Sequence, residues 1–346
     1  MICLGIESTC DETSIAVITD RFEILSNVIY SQADLHSRFG GVFPELAARE
    51  HLEKITPCYL EALQKANVRP EEIDLIAVAY GPGLIGSIQI GLTFAKTLAL
   101  SLNIPFVAVN HIHAHLVAPF LENKGAMDLF GAIGIVISGG HTQINWMETP
   151  LDVETIGSTI DDAMGECFDK CAKICDLPYP GGPHVEKLAS KGDLSKVFLK
   201  SCRVKEAPLS FSFSGLKTQV LYAKKNPLYQ IEDICASFQH VVFKDLYQKA
   251  LLAVEKFQAK AVFFGGGVAS SRSLRAYFKD FPCPVFFPSK ELALDNGAMI
   301  ATLGLLQYKK LGPSPLDIEP KTRIPFPHLT EKRDSLELKQ VTTTAV

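Results

Sequence analysis

The spacing of apolar and polar residues in the first third of the chain predicts strands followed by helices. Three short apolar segments, MICLGIES, TSIAVIT and EILSNVIYS, are separated by polar turns and predict three consecutive strands. Residues 44–66 then carry apolar positions at helical spacing and predict a long amphipathic helix. A strand, a helix and a strand follow, and the histidine-rich segment 110–120 is predicted to form a short helix.

The second half of the chain repeats this order of predicted elements. Three strands at 130–157 precede a helix at 161–177, and a less regular insert at about 178–230 precedes a long helix at 231–258. A strand, a helix, a strand and a last helix at 295–311 complete the series. Two α/β units that face each other form a cleft, where ligand sites tend to lie. The sequence therefore predicts a duplicated α/β fold.

This order resembles the fold shared by actin, hexokinase and the heat-shock chaperone ATPases, called the ASKHA fold. The likeness concerns architecture and not activity. We expect a first lobe formed by residues 1–129 and 294–327, and a second lobe formed by residues 130–293. The polar residues 328–346 are expected to be a flexible tail.

Composition excludes some classes of protein and indicates the compartment. The chain has 346 residues, 47% of them hydrophobic, and a formal net charge of −4, so it has no global basic field for nucleic acid. Nucleic-acid binding would then need a local basic patch or help from partner proteins. The first residues lack a basic signal-peptide region, and no apolar run approaches the roughly 20 residues that span a bilayer. Nine cysteines without a CxxC pair are most simply reduced thiols, so we expect a cytoplasmic protein without a membrane segment.

Glycine-rich loops predict a phosphate-bearing ligand. The segment YGPGLIGS contains a GxGxxG pattern, but the next strand lacks the acidic residue of a dinucleotide site, so we interpret it as a tight turn lining the cleft. Three other segments fit nucleotide binding between two lobes. GIESTCDETSIAV and VISGGHTQI are predicted hairpins in equivalent places of the two units, and FFGGGVASSRSLR is predicted to be a strand, three glycines and the start of a helix. Backbone N–H groups and hydroxyls in such loops can bind phosphate oxygens. Each loop alone is weak evidence, and together they favour a nucleotide-like ligand.

Three histidines occur at every second position of NHIHAHLVAPF. On a helix His111 and His115 share a face, while His113 points away. Such a pair can bind one metal ion, and it also occurs by chance as an ordinary solvated pair. We predict that Asp295 is the N-cap of the last long helix, at a loop that returns beside the histidines. Asp295 would then complete a His-His-Asp metal site whose donors suit iron or zinc.

Many sequence motifs of this chain occur in the same order in a known protein family. They cover about residues 3–325 and include GIESTCDETSIAV, GGVFPELAAREH, HIHAHLVAPF, SGGHTQI, IDDAMGECFDKCAK, YPGGPHVEKLA and FSFSGLKT. The chain closely resembles the tRNA threonylcarbamoyladenosine transferase family, formerly labelled O-sialoglycoprotein endopeptidase. The resemblance implies that threonylcarbamoyl-adenylate donates its threonylcarbamoyl group to the N6 amine of the adenine adjacent to the tRNA anticodon, and that AMP leaves.

The resemblance also implies roles for individual residues. The metal ligands would be His111, His115 and Asp295, holding one ion that we expect to be iron(II), with zinc(II) also compatible. Asp11 and Glu12 would be the catalytic acidic pair, which activates the amine or aligns the substrate. The residues that would bind the adenylate are Val136, Ile137, Ser138, Gly139, Gly140, Asp169, Gly182 and Ser271.

One of these positions departs from the family pattern. Ser271 stands where the family usually has Asn, and a hydroxyl has one donor where an amide has two. The contact between this residue and the ligand is therefore expected to be lost, moved or bridged by water.

Partners and alternative functions complete the expectations. Besides tRNA and threonylcarbamoyl-adenylate, the resemblance implies a smaller inactive paralogue subunit and a P-loop ATPase subunit. The lysine-rich segments 187–206 and 222–227 are candidates for phosphate contacts, and each could equally be a solvated surface. A small-molecule kinase or ATPase of the same fold and a non-catalytic scaffold remain alternatives. A metallopeptidase is disfavoured because the HExxH pattern is absent.

Overall fold

A computed structural model describes residues 1–202, 204–324 and 326. The expected tail at 328–346 lies outside the described residues, as does Arg203 of the lysine-rich segment.

The first half of the chain forms a mixed five-stranded sheet. Its strand order is β3-β2-β1-β4-β5, with β1 antiparallel to β2 and parallel to β4. The five strands are β1 (Ile2–Glu7), β2 (Glu12–Thr19), β3 (Ile24–Ser31), β4 (Leu75–Gly81) and β5 (Phe106–Asn110). Nearly all residues of strand β1 are buried, because helices cover both faces of the sheet at this central strand.

The second half forms another five-stranded sheet with the order β10-β9-β6-β7-β8. The strands are β6 (Ala132–Ile137), β7 (Thr142–Thr149), β8 (Asp152–Ser158), β9 (Val262–Gly265) and β10 (Val285–Phe286). Each half thus places its own strands in the order third, second, first, fourth, fifth. The predicted duplication of the α/β plan is confirmed.

The predicted helices occur in the predicted order, together with four helices that were not predicted. They are α1 (Ala33–Ser37), α2 (Pro44–Ala66), α3 (Ile85–Leu102), α4 (His111–Val117), α5 (Met164–Ile174), α6 (Gly181–Ala189), α7 (Ser214–Lys225), α8 (Ile231–Phe257), α9 (Arg272–Tyr277), α10 (Lys290–Ala293) and α11 (Gly297–Leu311). The insert predicted as less regular contains α6 and α7. Helices α1 and α10 are the other two that were not predicted. Helix α9 begins directly after Ser271, whose side chain caps it.

Helix α3 is long and apolar enough to cross a membrane by length and composition alone. In the structure it packs against β4 and α2, and Ile88 and Leu92 on its inner face are buried. Its apolar surface therefore contributes to the core of the first half.

Helices α4 and α11 place the candidate site between the halves. Helix α4 contacts α11 and β5 of the first half and β6 and β9 of the second. Helix α11 packs across β1, β2 and β4, with Met299, Ile300 and Leu303 fully buried. This packing supports the expected assignment of residues 294–327 to the first lobe, which stays a prediction together with the two lobe boundaries.

Helix α11 approaches β1 so closely that no side chain fits between their backbones. A Cβ atom added to Gly5 would lie 2.1 Å from the carbonyl oxygen of Gly297 and 2.7 Å from the backbone nitrogen of Ala301. Gly297 is the first residue of α11, two positions after Asp295. The contact therefore fixes the position of Asp295 relative to the first sheet.

We expect Gly5→Ala to destabilise the protein by about 1–3 kcal/mol, because the new methyl group must push α11 away from β1. The measurement is the midpoint of thermal unfolding, followed by circular dichroism. Gly125→Ala is the matched control, since no atom lies within 4 Å of a Cβ added there. Equal midpoints for the two variants would contradict the proposed close packing.

Candidate active site and metal centre

A cavity of about 850 Å³ opens between the two halves of the chain. Its walls include the turn between β1 and β2, the turn between β6 and β7, one face of α5 and the residues that precede α11. Because equivalent hairpins of the two halves face the same space, the duplicated fold itself forms the cavity.

His111, His115 and Asp295 come together at one end of the cavity. Each offers a ligand atom, and the three atoms lie within 4.8 Å of one another. Asp295 Oδ1 lies 3.6 Å from His111 Nε2 and 3.1 Å from His115 Nε2. The two histidines are one turn apart on α4, which begins directly after β5 because Asn110 Oδ1 accepts a hydrogen bond from His113 N.

The prediction that Asp295 is the N-cap of the last helix is wrong. The N-cap of α11 is Asn296, whose side chain accepts a hydrogen bond of 3.0 Å from Met299 N. The Asp295 carboxylate is therefore not used in capping and is directed to the histidines instead. Asp295 does lie beside His111 and His115 as expected, although the helix cap is the next residue, Asn296.

His113 lies apart from the three converging residues, as its position on the helix predicts. Its Nε2 lies 2.6 Å from the carbonyl oxygen of Pro150, and its ring packs edge-on against Phe326. Burial lowers the pKa of His113 to about 4, so the neutral imidazole donates to the carbonyl. This histidine holds α4 to the second half.

Glu7 was missed by the sequence analysis. It is the last residue of β1, fully buried, and its Oε2 lies 2.8 Å from His111 Nδ1. Its Oε1 accepts a hydrogen bond from Thr9 N, and Thr9 Oγ1 lies 3.2 Å from the same ring nitrogen. A carboxylate on Nδ1 leaves Nε2 of His111 to face Asp295. The only signal in the sequence was an acidic residue at the end of an apolar strand.

The electrostatics of this cluster fit a divalent cation. Burial opposes the charge on His111, but Glu7 and Asp295 outweigh it and raise the pKa of His111 to about 9. Burial likewise opposes the charge on Asp295, but the imidazoles of His111 and His115 lower its pKa to about 2. Protonated imidazole thus balances two carboxylates in the ion-free chain, and a bound cation would supply that positive charge instead.

His115 supports the same interpretation. Its ring is fully buried, and neither ring nitrogen has a hydrogen-bond partner among the described residues, although Nε2 lies close to Asp295. A buried polar atom without a partner costs free energy, which coordination to an ion would offset. The donors of His111, His115 and Asp295 therefore fit a metal ion with open positions toward the cavity.

Asp11 and Glu12 line the cavity from the turn between β1 and β2. Burial raises the pKa of Glu12 well above its usual range, and the nearby charges of Asp11 and Asp295 raise it further. Ser31 Oγ also donates a hydrogen bond to Glu12 Oε1. Burial and the neighbouring negative charges therefore favour the neutral form of Glu12.

The opposite hairpin exposes backbone to the cavity. Ser138, Gly139 and Gly140 line it, and no atom lies within 4 Å of a Cβ added to either glycine. The turn is closed by hydrogen bonds from Ser138 N to the carbonyl oxygen of His141 and from His141 N to Ser138 Oγ. Val136 and Ile137 belong to the buried end of β6 and lie behind this turn, outside the cavity wall.

The remaining predicted ligand residues are placed differently. Asp169 lines the cavity, and its Oδ1 accepts a hydrogen bond of 2.7 Å from Gly181 N at the start of α6. Gly182 follows in α6 and is not part of the cavity wall. Ser271 is not part of it either, because its Oγ caps α9 and donates 2.8 Å to Glu186 Oε1.

Comparison with known proteins relates this chain to one family. Residues 23–302 match the sequence profile of tRNA N6-adenosine threonylcarbamoyltransferase. The enzyme of that name from Protochlamydia amoebophila is 46% identical over 344 residues, covering 96% of this chain and all of that protein. The one from Bacillus subtilis is 43% identical over 321 residues, covering 90% of this chain and 91% of that protein.

Solved structures confirm the fold. The crystal structure of T. kodakarensis HypF superposes with a TM-score of 0.61 at 16% identity. The superposition covers 89% of this chain and 47% of that chain. At this identity the likeness concerns architecture alone. The expected ASKHA fold is confirmed, and the match over nearly the whole length of close relatives shows that this chain belongs to the tRNA N6-adenosine threonylcarbamoyltransferase family.

Proposed function

We propose that this chain transfers a threonylcarbamoyl group from threonylcarbamoyl-adenylate to the N6 amine of the adenine adjacent to a tRNA anticodon, with release of AMP. The observation that carries the proposal is one cavity lined by His111 and Asp295 of the converging donor set, by an open glycine turn and by an acidic pair. An activated acyl-phosphate donor needs little further activation, so the protein must chiefly orient it and polarise its carbonyl.

The adenylate would occupy the side of the cavity formed by the second half. The open backbone of Ser138, Gly139 and Gly140 can approach phosphate and acyl oxygens without hindrance from side chains. Asp169 borders the same space, and its carboxylate would accept hydrogen bonds from ribose hydroxyls. Val136 and Ile137 would support the turn from behind, and Gly182 would contribute through the start of α6.

Ser271 is the least suited of the predicted ligand contacts. Its hydroxyl already donates to Glu186 and accepts from Leu274 N. A contact with the ligand would have to replace one of these hydrogen bonds or use a bridging water. We therefore expect Ser271 to act through the position of α9.

His111, His115 and Asp295 would hold one metal ion, and Glu7 would orient His111. When bound, such an ion supplies a Lewis acid that polarises the donor or fixes it in place. Iron(II) and zinc(II) both suit two imidazoles and a carboxylate, and we propose iron(II).

The transfer forms a C–N bond between the carbamoyl carbon and N6, and breaks the C–O bond to the phosphate. The attacking amine must lose a proton, and AMP takes the electron pair of the broken bond. Of the two predicted catalytic residues, Glu12 favours its protonated form, so it is suited to donate a hydrogen bond. We assign the proton acceptor to Asp11 and the alignment of the substrate to Glu12.

The alternatives explain less of the cavity. A small-molecule kinase or ATPase would use the phosphate-binding turns but would leave the two histidines and Asp295 without a role. A non-catalytic scaffold would need none of these side chains. A smaller inactive paralogue and a P-loop ATPase remain proposed partners in the cytoplasm, and the assay of transfer should include both.

Removal of one metal donor tests the proposed function. His111→Ala should lower the rate of threonylcarbamoyl transfer by about 100-fold or more, because the polarised carbonyl contributes several kcal/mol to the barrier. The measurement supplies threonylcarbamoyl-adenylate, an unmodified tRNA transcript and the two partner proteins, and quantifies the modified nucleoside by mass spectrometry. Metal content is measured in parallel by elemental analysis, which also identifies the ion.

The matched control is His113→Gln, on the same helix and able to keep a hydrogen bond to the carbonyl of Pro150. This variant should keep both metal and transfer. Full transfer by His111→Ala would exclude the metal assignment while retaining the reaction. No transfer by the parent chain, with folded protein and intact donor, would contradict the proposed function itself.

Glu7→Gln should weaken metal binding by about 10–100-fold, because the amide no longer supports the orientation and basicity of His111 as a carboxylate does. Affinity is measured by competition with a chromogenic chelator, without reference to activity. Glu72→Gln makes the same chemical change on an exposed carboxylate paired with Arg69 and serves as the control. An unchanged affinity in Glu7→Gln would show that Glu7 serves folding alone.

A further inference from the structure

The connection between α5 and α6 places one large aromatic side chain in the wall of the cavity. Leu177, Pro178 and Tyr179 line the cavity, and Tyr179 is the only Phe, Tyr or Trp among the described residues that do so. Other aromatic rings of the second half, such as Phe168 against Phe238, pack in its core. Tyr179 is therefore the ring that a ligand in the cavity can reach.

Both ends of this connection are fixed on α5. Leu177 N donates a hydrogen bond of 2.9 Å to the carbonyl oxygen of Ala172, and Gly181 N donates one of 2.7 Å to Asp169 Oδ1. Gly181 also packs too closely for a side chain, since an added Cβ would lie 2.4 Å from Ala172 Cβ. The residue on each side of Tyr179 is a proline, whose ring restricts the backbone further. The position of the Tyr179 ring is therefore well defined, as a binding surface requires.

The side chain of Tyr179 is half-buried and has no partner of its own. Among the described residues its hydroxyl forms no hydrogen bond, and its ring contacts no other aromatic ring and no cation. By contrast, Tyr30 donates a hydrogen bond to Glu61, and Tyr59 packs edge-on against Phe94. Both the ring and the hydroxyl of Tyr179 are therefore available to a ligand.

Carboxylates from both halves of the chain act on the Tyr179 hydroxyl. Burial raises the pKa of Tyr179, and the charges of Asp11, Asp169 and Glu12 raise it further. Charges act strongly only over short distances, so the hydroxyl lies near the acidic pair of the opposite hairpin. The phenol stays protonated, and its neutral ring forms an apolar surface beside Asp11 and Glu12.

We propose that Tyr179 is the residue against which the acceptor adenine of the tRNA stacks when it enters the cavity. This inference rests on the proposed function, since the acceptor is the adenine on which the acidic pair would act. Enzymes that modify a base take it out of its stack and hold it against aromatic or apolar side chains. Stacking on the ring would offset part of the cost of unstacking the base.

The position of the ring favours the acceptor adenine over the adenine of the donor. The donor is proposed to lie on the turn that contains Ser138, Gly139 and Gly140. The carboxylate that acts most strongly on Tyr179 is Asp11, to which we assigned the proton of the attacking amine. A base stacked on the ring would therefore hold its N6 amine close to that carboxylate.

The test is the steady-state kinetics of threonylcarbamoyl transfer by the full chain with its two partner proteins, at saturating donor and varied tRNA. Tyr179→Ala should lower kcat/KM for tRNA by about 10-fold or more, because the adenine loses its stacking partner. Tyr179→Leu should show the same loss, since leucine fills the space without a flat ring. Tyr179→Phe keeps the ring and should retain kcat/KM within about threefold of the parent.

Two controls show where the loss arises. The KM for threonylcarbamoyl-adenylate, measured at saturating tRNA, should be unchanged in all three Tyr179 variants. Tyr222→Ala is the matched control and should leave transfer unchanged, because Tyr222 is 67% exposed on α7 and is not among the residues that line the cavity. Thermal unfolding, followed by circular dichroism, checks that each variant is folded.

The outcomes separate this inference from the proposed function. Transfer by the parent with unchanged kcat/KM in Tyr179→Ala and Tyr179→Leu would overturn the role of Tyr179 alone. A raised KM for the donor with unchanged kinetics toward tRNA would assign the ring to the adenine of the donor and overturn its assignment to the acceptor. A Tyr179→Phe variant as impaired as Tyr179→Ala would show that the hydroxyl acts and that stacking does not. Without transfer by the parent, the proposed function fails and this inference fails with it.

Discussion

The buried arrangement of Glu7, His111 and Asp295 is the interaction on which the rest of the structure depends. Each charge has little contact with water, and an isolated charge there would be strongly unfavourable. The three residues come from β1, the start of α4 and the turn before α11, so their attraction holds three distant parts of the chain together. His111 and Asp295 of this cluster also line the cavity between the halves, so the same contacts position part of its wall.

The hydrophobic pattern predicted the order of elements because each half must bury a sheet under helices. The apolar residues of each strand or helix therefore recur with the period of that element, which can be recognised within a short stretch of sequence. The pairing of His111 with His115 was also local, since it follows from helical geometry. The role of Asp295 was reached by a mistaken route, because Asn296 beside it is equally able to cap a helix. Glu7 was not recognised at all, because only the folded chain brings it to the His111 ring.

The same limit applies to the ligand residues and to the insert. Ser271 looked available because its partner Glu186 is 85 positions away in sequence. Helices α6 and α7 were not distinguished because short amphipathic segments among prolines, glycines and lysines carry a weak periodic signal. Duplication gave the chain two equivalent hairpins, and their tips have acquired opposite chemistry: carboxylates in one and bare backbone in the other.

The burial of the proposed metal donors would affect the exchange of a bound ion. His111 and Asp295 face the cavity, whereas His115 lies fully buried behind them. A bound ion would therefore be reached through the cavity, where the threonylcarbamoyl-adenylate is proposed to bind. Threonylcarbamoyl-adenylate in the cavity would then slow the release of the ion. A chelator would remove the ion from the ligand-free protein faster than from the protein with its donor bound.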